Sequence, residues 1–101
     1  MNPIIESKPA VMLYFYNDGC QPCLALRPKI ASLIRNEFPK IECSYIDAAQ
    51  QPEFAAMYGV FSSPTIIFLF EGKEFRRYSK YVSTASVYEE ISRPYNLMFN
   101  S

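Results

Sequence analysis

Two cysteines separated by two residues, Cys20-Gln21-Pro22-Cys23, stand between a continuous apolar and aromatic run, Ala10 to Tyr16 (AVMLYFY), and a segment of helical periodicity. A run of that kind, bounded by Pro9 and by Asn17-Asp18-Gly19, predicts a central strand buried on both faces. The Asn-Asp-Gly turn then hands the chain to the cysteines, and Pro22 suits the first turn of a helix, where its missing N–H is not needed. Two thiols at this spacing can close a small disulfide ring, bind a metal or simply pack. Strand, turn, motif and helix in that order favour redox chemistry.

From Cys23 onward, Leu26, Ile30, Leu33 and Ile34 recur at helical spacing with the charges largely off that stripe, so a helix is expected to run to about Phe38-Pro39. Pro28 lies inside it and should bend it. Ile41 to Ile46 reads as a second strand, closed by Asp47-Ala48-Ala49, and Pro52 to Tyr58 as a short helix with Gly59 as its C-cap. Thr65 to Phe70 (TIIFLF) is the most β-prone run, and Gly72 marks a hairpin turn. Glu74 to Lys80 should return as an antiparallel edge strand whose Arg76, Arg77 and Lys80 discourage edge-to-edge association. A last helix is expected over Thr84 to Ile91 with Pro94 stopping it. The tail from Tyr95 carries Leu97, Met98 and Phe99, more apolar material than a free tail needs; docking on the body and offering a partner surface both stay open. In residues 1–9 the pair Ile4-Ile5 suggests one loosely packed helical turn. The order β-α-β-α-β-β-α describes an α/β fold with a four-stranded mixed sheet flanked by helices, in which a right-handed crossover sets two strands parallel. Sites in such sheets lie at the carboxyl ends of parallel strands, where Cys20 falls.

One hundred and one residues, half of them hydrophobic, support one domain, residues 1–101 with its core at about 10–93. Ten basic and ten acidic residues cancel, so no net field draws nucleic acid or an anionic membrane to the surface. No apolar run approaches the roughly 20 residues that span a bilayer. With three cysteines, an odd number, a secreted disulfide framework is disfavoured and a reducing compartment is expected. Residues 1–10 carry Glu6 and Lys8 and no continuous apolar stretch, so a cytoplasmic protein is the expectation. A monomer is expected.

Cys20 is placed at or just before the first helical turn, where unpaired N–H groups and the helix dipole favour negative charge. A stabilised thiolate is both nucleophile and good leaving group in thiol–disulfide exchange. Cys23, one turn further on, is then the resolving thiol. A structural zinc site wants four ligands, and this chain has no His and only Cys43 besides the pair, so no metal is expected.

These residues, with Pro28, Ile46-Asp47, Tyr58-Gly59-Val60, Pro64-Thr65 and Gly72, follow one another at a spacing that resembles the thioredoxin family from about residue 10 to residue 91. The resemblance implies a thioredoxin-like fold and a thiol–disulfide oxidoreductase acting on protein disulfides, served by a reductase or other electron donor. Its only redox group would be the Cys20–Cys23 disulfide. It implies that Ser63–Pro64 is a cis bond beside the pair and that Gly19, Gln21, Pro22, Ser63 and Pro64 meet the substrate. The departures are specific. Gly19 replaces the Trp usual before the first cysteine, and Gln21-Pro22 replaces Gly-Pro. The family's buried Asp and its companion Lys fall at Tyr14 and Cys43. Losing both together avoids leaving one buried charge unpaired. Tyr14 is read as core before proton shuttle, Cys43 as a small buried strand residue, and both as modulators of the pair. Few residues precede the strand expected from Ala10, so the family's first strand is not expected and the sheet is expected to have four strands. The rival reading is an adaptor on this fold that binds a protein partner with little or no turnover.

Overall fold

The continuous apolar run forms β1, Ala10–Tyr16, and all of it is buried except Tyr16, which is partly exposed. This computed structural model describes residues 8–99; the turn expected around Ile4-Ile5 lies outside them. After β1 come α1 (Gln21–Glu37), β2 (Glu42–Asp47), α2 (Pro52–Met57), β3 (Thr65–Phe70), β4 (Lys73–Ser79) and α3 (Thr84–Phe99). The four strands make one sheet in the order β2-β1-β3-β4. β1 runs parallel to β2 and antiparallel to β3, and β3 to β4 is an antiparallel hairpin. Its two-residue turn is Glu71-Gly72, both at positive φ (54° and 78°). That pairing of signs matches the twist of the flanking strands and is easiest where glycine supplies one residue.

β1 is buried on both faces because helices cover both. Ala10, Met12 and Tyr14 point to the side packed by Leu26, Ile30, Ile34 and Phe38 from α1 and its end, and by Val87, Ile91 and Tyr95 of α3. Val11, Leu13 and Phe15 point to the other side, against Ala55 of α2, Val60, Ile67 and Leu69. The period-2 alternation of a strand thus sorts one apolar run into two cores.

Four expectations need correction. Pro94 does not stop the last helix, which continues to Phe99. A proline inside a helix costs about 3 kcal/mol. Continuing buries Tyr95 to 5% exposure and sets its ring 5.0 Å from Phe38 and 4.8 Å from Phe99. Burial of about 1.5–3 kcal/mol plus two aromatic pairs at about 0.5–1.5 each is enough to offset that cost. The apolar tail therefore docks on the body as far as Phe99. Cys43 is half-buried rather than buried, because β2 is an edge strand. Arg77 is more than an edge charge: its guanidinium donates to the Tyr58 carbonyl at 2.6 Å and the Gly59 carbonyl at 3.2 Å, and pairs with Glu74 at 2.8 Å. It ties β4 to the end of α2. The strands also shift by a residue, β2 ending at Asp47 and β4 opening at Lys73.

Candidate active site

The chain leaves β1 at Tyr16 and turns within four residues. Asn17 shapes that turn: its side-chain Oδ1 accepts from the Gly19 N–H at 3.1 Å, and its carbonyl accepts from the Cys20 N–H at 3.2 Å. The same side chain reaches across, Nδ2 donating to Ser63 Oγ at 3.3 Å. One residue thus fixes the cysteine turn and ties it to the loop that precedes β3.

Cys20 is the N-cap of α1, in extended conformation (φ −90°, ψ 99°), and its Sγ accepts from the Cys23 N–H at 3.1 Å. The sulfur occupies the place a Ser or Asp oxygen takes in an ordinary cap. Pro22 falls in the first turn, where a missing N–H costs no helical bond. Cys20 and Cys23 are disulfide-bonded, S–S 2.05 Å with Cα atoms 5.2 Å apart. Both are buried, Cys20 at 8% exposure and Cys23 at 3%. Gln21 and Pro22 are exposed beside them. Gly19 needs no glycine geometry: a Cβ there would meet nothing nearer than Asn17 Oδ1 at 3.9 Å. Gly19 is exposed and the space at its Cβ position is open, so the residue before Cys20 presents backbone alone.

The other wall comes from the loop before β3. The Ser63–Pro64 bond is cis. Pro64 is buried, its carbonyl accepts from the Lys80 N–H at 2.9 Å, and Thr65 Oγ1 donates to the Ser62 carbonyl at 2.7 Å. Two open grooves flank the motif. One, of about 540 Å³, runs between Pro22, Leu26 and Lys29 of α1 and Lys80-Tyr81-Val82; the other, of about 380 Å³, lies between Asn17, Ser63, Phe61 and α2. Phe61 is 87% exposed and Tyr81 96%.

Beneath the pair, Tyr14 is completely buried and its hydroxyl donates to the Cys23 carbonyl at 2.8 Å. Burial pushes its phenol up to about 12, against the opposing pull of the Arg27 charge. The phenol is therefore a fixed hydrogen-bond donor at neutral pH. A small cavity of about 100 Å³ opens beside it, lined by Tyr14, Tyr16, Asp18, Cys23 and Arg27 among others. Arg27 lies over the Tyr45 ring at 4.0 Å and over Tyr16 at 5.5 Å, cation–π contacts that hold the guanidinium on this wall. Cys43 sits on β2 opposite Met12, midway along β1, and not at its carboxyl end with the pair. Its thiol is pushed up by burial and by Glu42, less a hydrogen bond with Tyr45.

The fold brings Cys20, Cys23, Tyr14 and the Ser63–Pro64 loop to one end of the sheet. Asn17, Arg27, Phe61 and Tyr81 are additions that the sequence reading missed. An aromatic residue before Ser62-Ser63-Pro64 and another at the end of an edge strand were the available signals for the last two. Nothing local marks Arg27, whose ring partners Tyr16 and Tyr45 come from β1 and β2.

The family model described as Thioredoxin matches residues 2–93. The thioredoxin-like protein YdfQ of Bacillus subtilis is 28% identical over 85 residues, 84% of this chain and 75% of that protein. The M-type chloroplast thioredoxin of Pisum sativum is 28% identical over 90 residues, 89% of this chain, which spans only 52% of that relative's length. Among solved structures, thioredoxin 1 of Thermosipho africanus superposes with a TM-score of 0.78 at 33% identity, covering 90% of this chain and 99% of that one.

Proposed function

The chain belongs to the thioredoxin family, and from that premise we propose that it is a protein-disulfide oxidoreductase in which Cys20 attacks and Cys23 resolves. The observation that carries this reading is the position of Cys20 Sγ as helix N-cap, 3.1 Å from the Cys23 N–H and bonded to Cys23. In the reduced protein that N–H and the helix dipole stabilise a thiolate on Cys20. The thiolate attacks one sulfur of a substrate disulfide; a Cys20–substrate S–S bond forms and the first substrate thiolate leaves. Cys23 gives up its proton and attacks Cys20 Sγ, closing the 20–23 disulfide and expelling the second substrate thiolate. The substrate gains two electrons and the pair loses two, which a reductase or another dithiol must return.

The exposed backbone at Gly19, exposed Gln21 and Pro22, and the Ser63–Pro64 loop form the surface on which we place the substrate backbone, following the family resemblance. A cytoplasmic setting is proposed on the cysteine usage alone. The test is equilibration in glutathione buffers of graded ratio, followed by insulin reduction with dithiothreitol as donor. A reversible Cys20–Cys23 disulfide and a rate lost in Cys20→Ser are expected. A pair that does not cycle sinks the reading.

Exposed Phe61 and Tyr81 beside the two grooves favour a second reading, a binding module with little turnover. That reading gains if the disulfide cycles but insulin reduction is no faster than with Cys20→Ser.

A further inference from the structure

The resolving step requires that Cys23 lose a proton in a nearly closed site. Where the family carries a buried Asp, this chain carries Tyr14, whose hydroxyl is committed as donor to the Cys23 carbonyl at 2.8 Å. A phenol held neutral cannot take the proton. The groups that face Cys23 or back this wall, among the described residues, are Tyr14 and Tyr16 of β1, Asp18 of the turn, Arg27 of α1, and Tyr45 with Cys43 of β2 behind Arg27. Arg27 is the only cation in that set. Its guanidinium is oriented by two rings, and its field reaches the phenol that touches Cys23, where it opposes the effect of burial.

We propose that Arg27 is a positioning residue for ring closure: stacked on Tyr45 and Tyr16 at the wall of the 100 Å³ cavity, it holds a positive charge that stabilises the Cys23 thiolate. In the mixed disulfide Cys20 is uncharged, so Cys23 is the sulfur whose ionisation the charge governs. The Cys23 proton passes to water, the thiolate forms an S–S bond to Cys20 Sγ, and the substrate thiolate leaves with the electron pair of the broken bond. Asp18, on the same wall, acts in the opposite sense. Arg27 is solvent-exposed, so its effect is that of a screened charge, roughly threefold to tenfold in thiolate population.

The inference rests on the oxidoreductase reading and is tested so that the two fail separately. Reduced protein in a Cys43→Ala background is mixed with 5,5′-dithiobis(2-nitrobenzoate) in a stopped-flow instrument across pH 5.5–9.5. The first equivalent of released chromophore reports attack by Cys20 and the second reports ring closure. In Arg27→Met the pH midpoint of the second phase should rise by about half to one unit, with closure threefold to tenfold slower at neutral pH and an unchanged plateau at high pH. Arg27→Lys should recover most of the shift, and Asp18→Asn should move the midpoint down. A second phase with an unshifted midpoint in Arg27→Met, or Arg27→Lys as displaced as Arg27→Met, overturns the proposal. Slower closure in Asp18→Asn also overturns it, because Asp18 would then be the proton acceptor. No second phase in the wild type, with Cys20 and Cys23 failing to pair, is the separate failure of the oxidoreductase reading.

Discussion

Tyr14→Phe removes one hydroxyl from the most buried point beside the reactive pair and leaves the ring that fills the core. The lost bond, 2.8 Å to the Cys23 carbonyl, belongs to a side chain that is 0% exposed. A neutral intramolecular hydrogen bond contributes a net of about 0.5–1.5 kcal/mol, and an abandoned buried acceptor costs about 1–3. Cys23 lies inside α1, where the helical ladder offers its carbonyl a second donor, so the lower range applies. A loss of about 1 kcal/mol corresponds to about 4–8 °C in Tm for a domain of this size. The chemical expectation is different in kind. With the phenol at about 12, only about one molecule in 10⁵ carries a phenolate at pH 7, by the ordinary logarithmic relation between pH and pKa. The hydroxyl therefore serves stability and not proton removal. Urea denaturation of the oxidised protein and the ring-closure phase should be measured on the same variant. A stability loss near 1 kcal/mol with closure at neutral pH changed by less than about twofold is expected. A loss below about 0.3 kcal/mol refutes the energetic argument, and closure slowed tenfold or more refutes the assignment of Tyr14 as a structural donor.

Tyr95→Ala should cost about 3–5 kcal/mol, because it empties the contact with Phe38 and Phe99 and removes the hydroxyl that accepts from the Lys40 N–H at 3.1 Å. Tyr95→Phe should cost about 1; denaturant titration of both variants checks the difference. Gly59→Ala should destabilise by about 1 kcal/mol through backbone strain alone, since Gly59 has φ +68° and the nearest atom to a new Cβ is Arg77 Nη1 at an ordinary 3.8 Å. A Tm unchanged in that variant contradicts it. Tyr14 is raised by burial above the unfolded value near 10, so the stability it contributes by staying neutral is whole below pH 10 and is lost as pH rises toward 12. The decline of stability above pH 10, followed by denaturant titration at fixed pH values, should be shallower in Tyr14→Phe than in the wild type; equal slopes refute it.

Much of the fold is legible from periodicity because two layers of helix impose it. The unbroken run from Ala10 to Phe15 cannot alternate polar and apolar when both faces are covered. The Cys-x-x-Cys is legible too, since it lies between a recognisable strand and a recognisable helix. Proline misled at Pro94 and not at Pro28, although each lacks the same N–H. What separates them is the downstream pattern: Tyr95, Met98 and Phe99 complete an apolar face whose burial outweighs one missing bond. Cys43 depended on strand order, which sets β2 at the edge and cannot be read from its own residues. Arg77 and Arg27 illustrate a further limit. Each looks like a solvated charge in its own segment, and each has partners that only the fold supplies: the carbonyls at the end of α2 in one case, the Tyr45 ring in the other. The site's chemistry was written locally, and its tuning is non-local.

The proposed mechanism requires Cys20 to be the activated sulfur of the pair, and mass-spectrometric mapping of alkylation on the fully reduced protein tests that most directly. Brief iodoacetamide pulses at stepped pH values from about 5 upward give a labelling rate for each cysteine, and that rate tracks thiolate population. Cys20 should be modified first, with a midpoint below that of Cys23 and of half-buried Cys43. Labelling of Cys23 ahead of Cys20 at mildly acidic pH would contradict the assignment of nucleophile and resolving thiol from which the mechanism is built.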